Sequence, residues 1–400
     1  MVNVTRISNM SDLVEAGLPR PNMGAETALL QKQEWEDLLF RAANKSVFMT
    51  WEWLVTWWEV YGGSYDLWWL ISKNENGKVI GGLPLYVWKG QDGLFLPHRE
   101  LRFVGTGASV SPEHLDIVID PEHFDEVVLS ISQYLIAHLR DWDLMLLTDI
   151  SNSSAFVNRL FDELLTQGGT LSVEKQEPQA PYVSLPPSWE EYLRSLSPRM
   201  RAHILRNRRK LNRELEITFH IWSHADGSFK QAFNEFERLF RDRKVSVGIG
   251  DKFEEARGYR KFHHLLAERF SKRGWLYLAF LRTPEKTIAA EYIFKYLNTI
   301  YSYQFGFDRT FVKKNVFKVL RGYVIEDAIQ LGITEFDLLR GEEPYKYDWG
   351  TRSREKKMIR YFSPTLYGQT LRHILEFKRA GKRMLHNTVS KMKKVEAKNE

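Results

Sequence analysis

The chain has 400 residues, of which 43% are hydrophobic and 14% aromatic, and its formal net charge is +6. This length favours two domains, each large enough for its own hydrophobic core. The absence of cysteine excludes disulfides, thiolate metal sites and a cysteine nucleophile. No apolar run approaches the roughly 20 residues that cross a bilayer. Residues 1–19 lack the apolar centre of a signal peptide, so the expected location is the cytoplasm.

The positive charge is concentrated at the carboxyl end. Residues 371–400 contain nine Lys or Arg and three Glu, which accounts for the whole net charge. Bulk charge therefore predicts no nucleic-acid surface in residues 1–370. Leucine, isoleucine, methionine and valine are interspersed with the cations of this tail. The pattern leaves two interpretations open: an amphipathic helix on an anionic membrane surface, or a solubilising tail.

The first half of the chain predicts alternating strands and helices. Thr50 is expected to cap a helix that ends near Tyr61. The remaining elements are, in chain order, a hairpin of strands 66–72 and 78–88, a strand at 115–119, a helix at 121–140, a strand at 142–148, a helix from Ser154 and a strand at 182–185. Tryptophans crowd the first helix and strand, which favours core packing or a domain interface over a sugar-stacking platform.

The second half predicts a similar order. Its elements begin with two helices within 188–215, the first capped by Ser188 and the second started by Ser197-Pro198. Helices at 226–243 and 254–272, a hairpin of strands 275–281 and 286–296, a strand at 300–307, a helix from Asn315 to about 331, and a strand at 335–339 follow. Two local matches support a duplicated α/β unit. Lys78–Tyr86 aligns with Lys286–Phe294, and Trp142–Leu146 resembles Phe336–Leu339. The predicted domains are 1–180 and 181–370, followed by the tail 371–400, with Gln176–Pro181 as the connector.

Two charged segments are candidates for binding. Eight Lys or Arg lie between Arg194 and Arg213, which indicates either a solvated helix face or a surface for phosphate or acidic substrates. Phe336–Gly350 begins as an apolar strand and continues into a turn that carries Arg340, Glu342, Glu343 and Lys346. The carboxyl end of a strand is where α/β proteins place ligands. The alternative for this turn is a solvated charged loop.

Histidines give no sign of a metal centre. The eleven histidines show no His-Glu-x-x-His spacing, so no metal is expected. His263 and His264 are adjacent on a predicted helix, and we expect both at the surface.

Several motifs resemble a known family. They are Trp189–Leu193 with the arginine-rich helix to Leu211, Ile288–Ala290 with Tyr301–Asp308, Phe336–Lys346, and in the first half Phe48–Trp58, Leu101–Gly107 and Ser111–Asp116. Together they resemble the CelD/BcsL-like acetyltransferases of the GNAT superfamily, over roughly residues 45–350. This family is similar to the FemABX peptidyl-transferases, which have tandem GNAT-like halves.

The resemblance implies an α/β fold of tandem GNAT-like domains, with mixed sheets flanked by helices. It implies transfer of an acyl group, such as acetyl, from acyl-CoA to an amine of a sugar or cell-envelope precursor, without a covalent intermediate or a metal. Two alternatives stay open. One is FemABX-like aminoacyl transfer from charged tRNA, with residues 194–213 as the RNA surface. The other is a catalytically silent accessory protein of a polysaccharide synthase, docked through its tail; the location could then be peripheral, at the inner membrane face.

The acyl-CoA site is expected at the amino end of the helix that begins near Asn315. Backbone N–H groups and the helix dipole favour phosphate at such an end. Arg309, Lys313 and Lys314 add positive charge there. GNAT proteins carry a glycine-rich loop at this position, whereas residues 309–315 contain no glycine.

The predicted catalytic residues are Glu291, Tyr303 and Lys346. Burial of Glu291 on its strand would favour a base, although an outward-facing strand residue is the alternative. Tyr303 is expected to protonate the leaving thiolate, or else to lie in the core. Lys346 is expected to hold a substrate carboxylate or phosphate, or else to pair with a nearby Glu. The remaining residues expected to bind substrate are Asp116, Asp308, Asp337, Arg340, Glu343 and Tyr345.

Overall fold

The computed structural model describes most of the chain, namely residues 2–14, 30–92, 96–152, 154–246, 248 and 250–380. The described strands are β1 (Asn3–Ile7), β2 (Leu13–Val14), β3 (Leu30–Gln31), β4 (Asp66–Lys73), β5 (Val79–Asp92), β6 (Leu96–Phe103), β7 (Val118–Ile119), β8 (Leu144–Ser151), β9 (Thr170–Ser184), β10 (Thr218–Ile221), β11 (Leu276–Arg282), β12 (Thr287–Tyr296), β13 (Thr299–Phe307), β14 (Glu335–Asp337) and β15 (Arg352–Phe362).

The described helices flank these strands. They are α1 (Lys32–Arg41), α2 (Trp51–Tyr61), α3 (Phe124–Ala137), α4 (Ala155–Leu165), α5 (Trp189–Ser195), α6 (Pro198–Leu215), α7 (Phe229–Ser246), α8 (Lys252–Glu255), α9 (Tyr259–Lys272), α10 (Val316–Gln330), α11 (Pro344–Tyr347) and α12 (366–380). No helix in the described ranges is long and apolar enough to cross a membrane.

Four of the predicted helix starts are confirmed. The hydroxyl oxygens of Thr50, Ser154, Ser188 and Ser197 accept hydrogen bonds from the first turns of α2, α4, α5 and α6. Such caps satisfy N–H groups that have no partner inside the helix. Pro198 occupies the first turn of α6, where the missing N–H costs nothing.

The predicted duplication is confirmed by the sheet topology. In the first repeat, β1, β4, β5 and β6 are antiparallel neighbours, and α3 leads to β8, which lies parallel to β6. In the second repeat, β10 to β13 are antiparallel neighbours, and α10 leads to β14, which lies parallel to β13. The two sequence matches fall on equivalent strands, β5 with β12 and β8 with β14.

The two repeats belong to one continuous sheet. Strand β9 pairs with β14 on one side and with β15 on the other, and β15 pairs in turn with β8. The prediction of a connector at Gln176–Pro181 was therefore wrong, because this segment lies inside β9. Its prolines are typical of a linker, but the ladder shifts register opposite Arg354 and Lys356, and a bulge tolerates Pro178. The boundary at residue 180 stays a prediction.

Tryptophans of α2 fill the contact between the repeats. Trp53 lies edge-on to Phe262 of α9 and Phe294 of β12, with ring centroids 5.1 and 6.0 Å apart. Trp53 and Trp57 are fully buried. These contacts confirm the expectation of core and interface packing.

The surface prediction for His263 was wrong. Its side chain is fully buried between the rings of Tyr259 and Tyr303, with centroids 4.3 and 5.1 Å away, and burial lowers its pKa well below the usual value. His264 is partly exposed and pairs with Glu237 at 2.9 Å. Adjacent residues on a helix point in different directions, and here one of them faces the core.

Candidate active site

A cleft opens where two parallel strands diverge. The parallel pairing of β13 and β14 covers only three residues of each strand, Thr299–Tyr301 and Glu335–Asp337. Beyond this point β13 continues to Phe307, whereas the segment that follows β14 turns away at Leu339, which has a positive φ of 55°. A cavity of about 280 Å³ lies in the gap between Ser302–Phe305 and Leu338–Arg340. The carboxyl ends of diverging parallel strands are a common place for ligands.

Both repeats contribute to the walls of this cavity. The first repeat supplies Ser109, Ser111 and Glu113, from the segment that follows β6. The second repeat supplies the end of α7, the short helix α8 and the start of α9. The cleft is therefore completed only when the two repeats pack together.

Among the charged residues that line the cavity, cations outnumber carboxylates. Five are cationic, namely Arg243, Lys244, Lys252, Arg340 and Lys346, and two are carboxylates, Glu113 and Glu343. The guanidinium of Arg243 lies 3.8 Å from the centre of the Phe305 ring. Burial lowers the pKa of Arg243 and of Lys244. No carboxylate of the described residues forms an ion pair with Arg243, Lys244 or Lys252. This imbalance suits an anionic ligand.

Lys346 holds the turn that follows β14. Its buried ammonium donates hydrogen bonds to the carbonyl oxygens of Leu339 at 3.1 Å and Arg340 at 2.7 Å, and it lies 3.2 Å from the Glu343 carboxylate. Burial lowers the pKa of Lys346, while Glu343 opposes this shift. Through these three contacts Lys346 stabilises the turn that forms one wall of the cleft.

Arg340 ties the same turn to the first repeat. Its guanidinium lies 3.0 Å from an oxygen of Asp149 and donates to the carbonyl of Pro112 at 2.9 Å. Its backbone N–H donates to the Glu113 carboxylate. Buried Lys356 lies 3.1 Å from Glu113 and 3.3 Å from Asp149. Two carboxylates and two cations thus neutralise each other at the edge of the cavity.

Asp337 is buried behind the cleft and does not line it. Its carboxylate lies 2.8 Å from His114 and 3.1 Å from Arg354, and it accepts the N–H of Leu339 at 2.7 Å. Burial would raise the pKa of Asp337, but His114 and Arg354 hold it below its usual value. This group fixes the end of β14.

Two predicted tyrosines face the cavity. The Tyr303 hydroxyl oxygen accepts the N–H of Ser111 at 3.3 Å, which links β13 to the first repeat. Tyr345 lies against the rings of Phe305 and Phe317. Burial raises the pKa of both phenols, so each keeps its proton at neutral pH.

Glu291 lies behind the wall that Ser302 presents to the cavity. Its carboxylate is fully buried, 2.6 Å from the guanidinium of Arg321, and it accepts the Ser302 hydroxyl at 2.6 Å. Arg321 also donates to the Ser302 hydroxyl oxygen at 2.8 Å. Neither oxygen of Glu291 reaches the cavity, so its contact with a substrate would pass through Ser302.

The predicted acyl-CoA residues lie outside the cavity, on the turn between β13 and α10. Residues 309–314 form a short 3-10 helix that leaves the side chains of Arg309, Lys313, Lys314 and Asn315 exposed. Asp308 accepts the N–H of Thr310 at 2.9 Å and pairs with Lys286 at 2.6 Å. Burial would raise the pKa of Asp308, but Lys286 and Thr310 hold it low.

This turn fits a pyrophosphate only through its side chains. In a glycine-rich loop the backbone N–H groups would face the anion. Here the N–H of Thr310 donates to the Asp308 carboxylate instead, so it is not free to bind phosphate. The cations Arg309, Lys313 and Lys314 and the amino end of α10 provide the positive charge instead. Lys314 also lies 3.4 Å from Glu214.

Asp116 lies outside the cavity, where it anchors the start of α4. Its carboxylate accepts the side-chain amide of Asn44 at 2.8 Å and the Ser154 hydroxyl at 3.0 Å. Burial raises the pKa of Asp116 to about 6 from an ordinary value of 3.8. Its partners are uncharged, so no ion pair offsets the burial directly.

A pH-dependent stability difference is expected for Asp116→Asn. The folded state binds the Asp116 proton more tightly than the unfolded state, so this contribution to stability is present below about pH 4 and lost as pH rises through about 6. Between these limits the free energy of unfolding of the native protein should fall, relative to the variant, by about 3 kcal/mol. Urea unfolding across this range measures the difference. Exposed Asp162, replaced by Asn, is the matched control, and an equal slope for both variants would contradict the assignment.

Several lining residues escaped the sequence analysis. Arg243 and Lys244 occupy the last turn of α7, where basic residues are common for helix-dipole reasons alone. Lys252 and Tyr259 begin helices α8 and α9 and carry no motif signal. Glu113 lies in Ser111–Asp116, one of the segments that resemble the family, and this resemblance was the one sequence signal that indicated it.

Comparisons with known proteins agree with the fold. Residues 198–347 match a family described as an acetyltransferase (GNAT) domain. The crystal structure of FemX is similar at a TM-score of 0.62 and 11% identity, over 87% of this chain and 98% of that one. The structure of L-PGS from Bacillus licheniformis is similar at a TM-score of 0.52 and 13% identity, over 88% and 96%. No curated protein matches the chain by sequence.

The fold is therefore a tandem arrangement of GNAT-like α/β units, as the sequence predicted. The matched domain, which contains the diverging strands, defines the class of protein as a GNAT-type acyltransferase.

Proposed function

We propose that the protein transfers an acyl group from acyl-CoA to the amine of an anionic sugar or cell-envelope precursor in the cleft between its repeats. The observation that carries this proposal is the excess of cations in the cavity, with five cationic and two acidic side chains. An amine acceptor would be repelled by such a site unless the same molecule carried a phosphate or carboxylate. The proposal keeps the CelD/BcsL-like resemblance as its guide to acceptor class.

Arg243, Lys244 and Lys252 are proposed to bind the acceptor's anionic group. They come from α7 and α8 and reach the cavity from one side, and no described carboxylate pairs with them. Arg243 is already oriented by its contact with Phe305, so less side-chain freedom is lost on binding. Placement of the anion there would leave the amine to be oriented by the wall opposite.

The cleft residues are proposed to manage protons and orientation. Glu343 lines the cavity and is half exposed, so it receives the amine proton. Tyr303 keeps its phenolic proton and donates a hydrogen bond to the leaving sulfur, which takes its proton from solvent. Lys346 and Arg340 hold the turn that positions Glu343, and Glu291 positions Ser302. When bound, acyl-CoA supplies the activated thioester, and Arg309, Lys313, Lys314 and Asn315 are the residues that would hold its phosphates.

Thiol release provides a direct test. The chain contains no cysteine, so a thiol reagent detects only coenzyme A that is freed from acetyl-CoA. Glucosamine 6-phosphate should support faster thiol release than glucosamine at equal concentration, because only the former offers an anion to the cationic cavity. Equal rates for the two would contradict the assignment of an anionic acceptor.

Donor binding should depend on two exposed lysines. Replacement of Lys313 and Lys314 together by alanine is expected to raise the KM for acetyl-CoA about tenfold, because two charges near the pyrophosphate are lost. Steady-state kinetics at saturating acceptor measure this change. The control is the double change of exposed Lys230 and Lys261 to alanine, which removes equal charge elsewhere. Unchanged donor kinetics in the first variant would refute the site at this turn.

A second candidate is aminoacyl transfer from charged tRNA. The observation that favours it is the basic face of α6, on which Arg199, Arg206, Arg209 and Arg213 are exposed. Such a row suits a nucleic-acid backbone, and binding would weaken steeply with salt. Salt-dependent tRNA binding together with no thiol release from acetyl-CoA would favour this function over the first.

A further inference from the structure

Helix α12 uses only one of its faces to pack on the protein. Leu371 is buried against Leu144 of β8 and Phe362 of β15, and Leu375 packs beside it. The Tyr367 hydroxyl donates to the carbonyl of Pro97, which fixes the start of the helix. The helix is thus anchored, and its orientation on the sheet is defined.

The opposite face of α12 exposes large apolar side chains. This outer face consists of Leu366, Thr370, His373 and Phe377, all exposed. Leu366 is 87% exposed and Phe377 is 83% exposed. Eleven residues separate these two, which is about three helical turns or about 16 Å, so both point in the same direction. A soluble surface rarely leaves two such side chains aligned on one helix without a contact for them.

The sequence directly after this helix is strongly basic. On the helix itself Arg372 and Arg379 pair with Glu376 and Glu174, at 3.5 and 2.8 Å, whereas the next 20 residues of the sequence hold six Lys or Arg and two Glu. Two apolar side chains that stand about 16 Å apart, with Thr370 and His373 between them, make no compact hot spot for a protein partner. They do match an interfacial helix, whose apolar side chains enter the headgroup boundary while a basic segment beside it meets lipid phosphates.

We propose that the outer face of α12 docks on the surface of an anionic lipid bilayer. Leu366 and Phe377 enter the boundary between headgroups and acyl chains, and the cations of the basic segment 381–400 bind the lipid phosphates. This surface is separate from the cavity, since α12 contributes no residue to the cavity lining in the described ranges. The proposal therefore stands whether or not the acceptor assignment is correct.

Site-specific fluorescence tests the orientation directly. Because the chain has no cysteine, Leu366→Cys, Phe377→Cys and, as a control, Lys230→Cys each give a single labelling position for an environment-sensitive dye. Vesicles of phosphatidylcholine with about 30% phosphatidylglycerol should shift the emission of the first two to shorter wavelength. The label at exposed residue 230 on α7 should not respond. Phosphatidylcholine vesicles alone should give a much smaller shift, and absence of any shift at 366 and 377 would overturn the proposal.

Co-sedimentation of the full chain supplies a second measurement. Leu366→Ser with Phe377→Ser is expected to lower partition onto the anionic vesicles about tenfold, since two apolar groups leave the interface. The matched control is Phe40→Ser with Leu331→Ser, which removes apolar side chains that are 73% and 52% exposed elsewhere. Equal partition of the two double variants would refute docking by this face. A concentration-dependent dimer that only the first variant abolishes would instead assign the face to a second copy of the chain, and would also overturn the proposal.

Discussion

Replacement of Arg321 by methionine is expected to lower the free energy of unfolding by about 3–5 kcal/mol, the largest stability effect that the structure predicts. The change leaves the Glu291 carboxylate buried without its ionic partner, and only the Ser302 hydroxyl remains within hydrogen-bond distance. The aromatic contact of the guanidinium with Phe317, at 4.5 Å, is lost as well. Urea unfolding followed by tryptophan fluorescence measures the change.

The double variant Arg321→Met with Glu291→Leu separates a lost ion pair from lost packing. Removal of both charges should restore most of the stability, because no uncompensated charge then remains in the core. Arg238→Met is the surface control; its guanidinium pairs with Glu235 and Asp242 but is partly exposed, and about 1 kcal/mol or less is expected. A single variant at Arg321 that is as stable as this control would mean that the buried pair contributes little.

Replacement of Arg243 by glutamine is expected to raise the KM for glucosamine 6-phosphate about 10- to 100-fold. This range corresponds to the loss of one hydrogen bond between charged groups in a partly desolvated site. The KM for uncharged glucosamine should change little, because the proposed role of Arg243 is to bind the anion. The measurement is therefore the ratio of the two KM values, obtained from thiol release.

The control for this variant lies on the same helix. Arg238→Gln removes an arginine from α7 that points away from the cavity and pairs with neighbouring carboxylates. It should leave both KM values unchanged. A loss of kcat with an unchanged KM ratio in Arg243→Gln would argue for a general structural role and against recognition of the acceptor's anion.

Local signals in the sequence predicted many elements of both repeats. Hydroxyl caps at Thr50, Ser154 and Ser188 predicted helix starts because a cap is a contact between near neighbours in the chain. The strands Val79–Asp92 and Thr287–Tyr296 were predictable from apolar runs bounded by turns. Their similarity to each other pointed to the duplication that the sheet topology confirms.

Long-range pairing escaped the sequence analysis. Strand β15 contains Arg, Lys and Glu along most of its length, which gives no apolar pattern, yet it lies between β8 and β9. Its charged side chains are accommodated by partners from distant segments, as Lys356 is by Glu113 and Asp149. Pro178 hid part of β9 for a related reason, since the bulge that tolerates this proline exists only in the assembled ladder.

The candidate site was predictable in part. Resemblance to a family drew attention to Tyr303, Arg340, Glu343, Tyr345 and Lys346, and all five line the cavity. Glu291 and Asp337 lie behind its walls in buried ion pairs, because strand alternation in the sequence does not reveal which face meets a cation. Arg243, Lys244 and Lys252 look like ordinary basic residues of helices until α7 and α8 are packed against β13.

By itself, then, the sequence determined many of the elements, the duplication and the turn after β14, since these depend on interactions between residues close in the chain or on internal similarity. The tertiary structure alone decided that one sheet runs through both repeats, that the cleft needs residues from each, and that its cations outnumber its carboxylates. Such features depend on which side chains from distant parts of the chain are buried together. In such a partly desolvated space, the free energy of each charged group depends on its burial and on the charges and hydrogen-bond partners around it.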